Sequence, residues 1–231
     1  MQVTNPQITP ISLRNVAVVI REDFVTGIAS ASTSTSGTGA AFSVNANGNN
    51  DTGGNPGWAV ASTGTTTTGR AAINPFTATP LLLGAGALHC ENLVSLPILS
   101  DGTETFTVFV GLGDSPSGAT VDGVNFRYTH AVNSGKWQAV TRSNSVETAA
   151  DTGVTVAANT NYRLQIEIGA AGTSADFLIN GVSVATIATN IPIGASRQTN
   201  IMTGIVKSAG TTNRDLLIDY CECWVLLTTP R

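Results

Sequence analysis

Short stretches in which apolar and polar residues alternate recur along the chain, each closed by Gly, Asn, Asp or Ser, and no sustained i, i+3, i+4, i+7 pattern interrupts them. A period of two puts one set of side chains on a buried face and the other in water, so the chain reads as strands with little helix. The clearest runs are 105–112, 123–130, 137–142, 162–168, 175–179, 182–187 and 216–226. Asn180-Gly181 joins two of them, and both central residues of a type I′ turn need positive φ, which this dipeptide tolerates best. A second hairpin, with a longer loop, is expected at Ser134-Gly135. Together these features predict an all-β sandwich of two antiparallel sheets, and 231 residues suit one such unit. A chain of this size buries about 70 % of its unfolded surface, so neither disulfides nor metal is needed for folding.

Charge narrows the functions. Only 11 % of residues are charged, against a typical ~25 %, and the net charge is -4. There is no Lys/Arg stripe to neutralise phosphates, and even Arg21 is followed by Glu22 and Asp23, so nucleic acid is not an expected partner. Val16 to Ile20 is too short for the apolar part of a secretion signal, and no apolar stretch approaches the ~18 residues of a membrane span. The expectation is a protein that neither spans a membrane nor follows the usual export route. Cys90, Cys221 and Cys223 form no even framework, and residues two apart on one strand face sit roughly 7 Å apart. Free, buried thiols are predicted rather than a Cys-Glu-Cys metal or redox site.

Residues 29–68 are rich in Ser, Thr, Gly and Asn, with Phe42, Val44, Trp58 and Val60 as apolar anchors. Such composition suits a linker. Trp58 nevertheless alternates correctly for a strand in Gly57-Trp58-Ala59-Val60-Ala61, which favours two edge strands around Phe42 and Trp58 with an Asn/Gly-rich loop between them. Pro6 and Pro10 argue against helix near the start. We therefore divide the chain into an N-terminal arm, 1–21, and a sandwich, 22–231. The arm either adds a strand to the sandwich or reaches a neighbouring subunit by strand addition.

Catalytic machinery is not apparent. A retaining glycosidase needs two carboxylates about 5–5.5 Å apart, which acids at i, i+2 on one strand can approach. Glu167 has Gln165 at that position, Asp219 and Glu222 face opposite sides, and Asp215 and Asp219 lie roughly 13 Å apart. His89 and His130 lack any nucleophile context. Asp101, Asp114, Asp122 and Asp151 sit in Gly-containing turn sequences, where a carboxylate bonds nearby backbone N–H groups more readily than it gathers round calcium. No enzyme activity, cofactor or metal is therefore expected. For sugar binding the candidates are Trp58 and Tyr128, as rings to stack on a sugar face, and Arg127, as a hydroxyl partner. Trp137 and Phe126 alternate toward the core instead.

The ordered series Glu22-Asp23-Phe24, Val110-Gly111-Leu112-Gly113-Asp114, Asp122-Gly123-Val124-Asn125-Phe126-Arg127-Tyr128 and Trp137-Gln138-Ala139-Val140-Thr141-Arg142 continues through Asp176-Phe177-Leu178-Ile179-Asn180-Gly181, Thr189-Asn190-Ile191-Pro192 and Val206-Lys207-Ser208-Ala209 to Leu217-Ile218-Asp219-Tyr220. It resembles the concanavalin A-like jelly-roll domains of bacteriophage structural and tail-fibre proteins across residues 22–227. That resemblance implies two curved sheets of six or seven strands and a non-enzymatic role on a virion. The Glu-x-Asp-x-x-Glu strand motif of related glucanases is absent. With little sequence on either side of the domain, the first expectation is a decoration or cement protein on the capsid exterior, bound to the major capsid protein or another virion protein. It would form a small homo-oligomer there. The alternative is a tail or head-fibre module that binds a host surface glycan.

Overall fold

A computed structural model describes residues 17–24, 32–45, 57–74, 80–118 and 120–227. Among these residues fifteen strands occur, in the order β1 Ala17–Glu22, β2 Ser32–Ser36, β3 Ala41–Asn45, β4 Trp58–Ser62, β5 Arg70–Asn74, β6 Gly86–Ser95, β7 Thr105–Gly113, β8 Gly123–Thr129, β9 Lys136–Ser143, β10 Val146–Thr155, β11 Asn161–Ile168, β12 Ala175–Ile179, β13 Val182–Ile187, β14 Asn200–Ala209 and β15 Asp215–Leu227. Among the described residues the one helical element is a 3-10 turn, Val132–Gly135.

The strands form two antiparallel sheets. The larger runs β13-β12-β11-β6-β15-β4-β3, and the smaller runs β10-β9-β8-β7-β14-β5-β2. β1 also joins the larger sheet, pairing with the C-terminal half of β15 while β4 pairs with its N-terminal half. For residues 17–22 the arm thus adds a strand to its own sandwich. β3 and β4 pair as expected from Phe42 and Trp58, although β4 lies inside the sheet, between β15 and β3. The Asn-rich stretch between them, 46–56, lies outside the described residues.

The predicted Asn180-Gly181 turn joins β12 to β13 with φ of 54° and 81°. The Asn180 side chain also ties the hairpin to β11, because its oxygen accepts a hydrogen bond from the Arg163 N–H. Ser134-Gly135 lies in the connection between β8 and β9, both residues at positive φ.

Between the sheets, Phe106, Phe126, Trp137, Phe177 and Ile166 are all but fully buried. Phe126 meets Trp137 and Phe177 edge-on, at centroid distances of 6.5 and 5.2 Å. The three cysteines are free and buried in the same core. Cys90 lies opposite Cys223 across the β6–β15 pair. A bulge between Ile218 and Tyr220 shifts the alternation of β15, so that Cys221, Cys223 and Val225 point inward while Tyr220, Glu222 and Trp224 point outward.

Candidate functional site

The outer face of the larger sheet carries a polar and aromatic cluster. On β6, Leu88, Cys90 and Val94 fill the core, which leaves His89, Glu91 and Leu93 outside. On β11, Leu164, Ile166 and Ile168 face inward and Gln165 and Glu167 outward. Register then assembles rows across strands far apart in sequence. Trp224, His89, Glu167 and Asp176 form one row, from β15 through β6 and β11 to β12. Glu222, Glu91 and Gln165 form the next.

Within the first row the His89 and Trp224 rings stack, with centroids 5.0 Å apart and 16° between planes. His89 places Nε2 3.6 Å from Glu91 and Nδ1 3.6 Å from Glu167. Glu91 is held further by a 2.7 Å hydrogen bond from Gln165 Nε2 and by the Tyr220 hydroxyl. Burial, the hydrogen bond to Glu91 and its negative charge together push the Tyr220 phenol well above its ordinary pKa, so it stays a donor. Asp176 Oδ1 accepts from Ser183 and Thr186 hydroxyls at 2.7 and 3.0 Å. Arg21 lies 3.7 Å from Glu222.

Two recesses flank Trp224. One, about 340 Å³, is lined by His89, Glu167, Asp176, Ser174 and Gly169 with the indole as a wall. The other, about 370 Å³, is chiefly apolar and is lined by Ala17, Val19, Glu222 and Leu226. Trp224 is therefore a half-buried ridge between a pocket that carries two carboxylates and an apolar one.

The residues selected from sequence do not form this site, and that expectation is corrected. Tyr128 is 3 % exposed and packs in the core against Phe106 and Trp137, leaving no ring face for a sugar. Trp58 alternates with inward Ala59 and Ala61 on β4 but is itself only 7 % exposed. Arg127 lies on the smaller sheet, where it makes a two-pronged ion pair with Glu147 and a hydrogen bond to Gln138. The three are divided between two sheets and share no surface.

His89, dismissed for want of a nucleophile context, is central to the cluster, and Glu167 and Glu222 acquire neighbours from adjacent strands. Comparing acids only at i, i+2 overlooks such partners. A usable signal was present: His89/Glu91, Gln165/Glu167 and Glu222/Trp224 are pairs of large polar or aromatic residues in the outward phase of strands whose other phase is, apart from Asn92, apolar or cysteine. Asp101, Asp114 and Asp151 follow the turn reading, accepting backbone N–H groups of Thr103 and Glu104, Val121, and Gly153 respectively. Among the described residues no three His, Cys, Asp or Glu side chains gather to hold a metal ion.

Residues 54–219 match the family described as SO2946-like, C-terminal domain. The chain belongs to that family. Among curated proteins none matches its sequence. Among solved structures, a Shewanella oneidensis MR-1 protein of unknown function, SO2946, is similar with a TM-score of 0.64 and 13 % identity, covering 99 % of this chain and 98 % of that one. An endo-1,3-β-glucanase from Streptomyces sioyaensis gives 0.61 and 12 %, covering 97 % and 100 %. The carbohydrate recognition domain of Emp47p gives 0.56 and 10 %, covering 89 % and 94 %. At these identities the likeness establishes the concanavalin A-like jelly roll and no activity.

Proposed function

We propose that this family member is a non-catalytic carbohydrate-binding sandwich, with its site on the outer face of the larger sheet. The observation that carries the reading is the stacked Trp224–His89 pair beside Glu167 and Asp176, at the wall of an open pocket. A flat ring matches the apolar C–H face of a sugar, and neighbouring carboxylates accept from its hydroxyls. Similar folds that bear the names glucanase and carbohydrate recognition domain accord with a saccharide ligand. The surroundings of the acids support binding over cleavage. Cleavage needs a carboxyl sheltered from water to bring a proton to the leaving oxygen. Glu167 has 54 % of its side chain exposed, Glu91 is tied to Tyr220 and Gln165, and Asp176 is engaged by two hydroxyls.

Of the two virion settings expected from sequence, the platform favours glycan recognition over capsid decoration. The test is affinity electrophoresis and reducing-end release over a panel of polysaccharides, with Trp224→Ala beside the parent. Retarded migration that the variant loses, without new reducing ends, is the expected result. New reducing ends that Glu167→Gln abolishes would make the protein a hydrolase, and binding that survives Trp224→Ala would remove the proposed platform.

A further inference from the structure

We propose that the pocket beside Trp224 selects a cationic sugar ring, that of a hexosamine with a free amino group, over neutral hexoses and uronates. The inference rests on the carbohydrate reading and names the ligand class of the same site. It follows from an imbalance between acceptors and donors. The pocket's charged and polar lining consists of two carboxylates, Glu167 and Asp176, one imidazole and Ser174, with no Lys or Arg among its lining residues. Glu91 and Glu222 add two more carboxylates in the adjoining row.

Arg21 lies beside Glu222, and Arg163 sits on β11 outside the pocket lining, while the donors around Glu91, Glu167 and Asp176 are already directed at those acids. His89 turns one nitrogen toward Glu91 and the other toward Glu167. Gln165 and Tyr220 donate to Glu91, and Ser183 and Thr186 to Asp176.

A protonated amine brings three donors and a positive charge. Near Glu167 it forms charge-assisted hydrogen bonds, and a cation beside an indole face gains the ring's quadrupole attraction as well. A uronate would set a third negative charge beside Glu167 and Asp176, which repel it. A neutral hexose offers hydroxyl donors but no charge. At about 340 Å³ the pocket falls at the small end of ligand sites, suited to sugar rings rather than a folded partner.

The experiment is titration calorimetry at low salt and about pH 6, where such primary amines are protonated. The ligands are a fully deacetylated glucosamine hexamer, its N-acetylated counterpart, cellohexaose, a mannuronate hexamer and spermine. We expect the glucosamine hexamer to bind about tenfold tighter than either neutral oligomer, a difference equivalent to about 1.4 kcal/mol. The mannuronate should bind least. Glu167→Gln, at an exposed position that leaves the core untouched, should abolish the preference, bringing the affinity for the glucosamine hexamer down to that for the neutral oligomers. Trp224→Ala should weaken every sugar.

Equal or tighter binding of neutral or mannuronate oligomers, or a preference that survives Glu167→Gln, overturns the charge selectivity and leaves the carbohydrate reading standing. Spermine binding as tightly as the glucosamine hexamer overturns selection of a sugar. Failure of all four oligosaccharides to bind overturns the carbohydrate reading itself.

Discussion

Replacing Trp137 tests how the core is held together. The side chain is fully buried, and its ring meets Phe126, Tyr128 and Tyr162 at 6.5, 6.2 and 5.7 Å, each close to edge-on. Truncation of a buried Trp to Ala costs about 3–5 kcal/mol, the transfer of the lost atoms and the cavity together. For a protein of this size each kcal/mol lowers Tm by about 2–4 °C, so Trp137→Ala should melt roughly 6–20 °C below the parent. Trp137→Phe is a different case. The indole Nε1–H has no acceptor among the described residues, and leaving such a donor buried costs about 1–3 kcal/mol. Phe discards that group along with some contact area, so the two effects offset and the net loss should stay below about 1.5 kcal/mol. Urea unfolding followed by far-ultraviolet circular dichroism measures both variants. Equal losses for Phe and Ala would refute the reasoning, because the N–H would then contribute stability that the geometry denies it.

Three further outcomes are expected. Gly111→Ala puts a Cβ 2.6 Å from Ile166 Cδ1 and 2.8 Å from the Val124 carbonyl at a φ of +140°, so urea unfolding should show a loss of about 2–5 kcal/mol, and a loss under about 1 kcal/mol would contradict the close approach. Asp151 is held at a pKa of about 2, chiefly by the Gly153 N–H and then by Lys136 and Asn133. Its contribution is present above the unfolded value near 3.9 and is lost as pH falls toward 2, so Asp151→Asn should flatten the acid side of the stability profile between about pH 4 and 2 while the parent falls away. Burial pushes the Cys221 thiol far up, and its neighbours are equally enclosed, so a thiol-specific disulfide reagent at neutral pH should label no cysteine in the native protein and all three in urea. Rapid labelling of the folded state would mean that the core opens.

Where one face of a strand meets water the alternation was legible, as in β11, β12 and β13, and the Asn180-Gly181 turn located its hairpin from two residues. β14 was not legible, because both its faces are covered. Along it Thr203 bonds Asn92 across the sandwich, and Lys207 bonds the Gly64 and Thr212 carbonyls, so polar residues occupy buried positions and the period of two disappears. β10 escaped for the opposite reason, with few buried side chains to mark a phase. The Trp224–His89 cluster could not be assembled from sequence because it depends on strand order. His89, Glu167 and Trp224 become neighbours only once β11 and β15 flank β6, and nothing local in the sequence encodes that adjacency. Tyr128 illustrates the converse error: a ring with a polar tip looks suited to a sugar until its alternation with Arg127 places it inside.

The pairing of Ala17 with Leu226 has a practical meaning beyond the sheet it completes. The chain enters and leaves the described sandwich at one corner, so the whole unit could be spliced into a surface loop of another protein without stretching either end. That corner also adjoins the rim of the pocket, since Val19 and Trp224 are the next outward pair along the same two strands. A loop that carried the sandwich at that corner would therefore run next to Trp224.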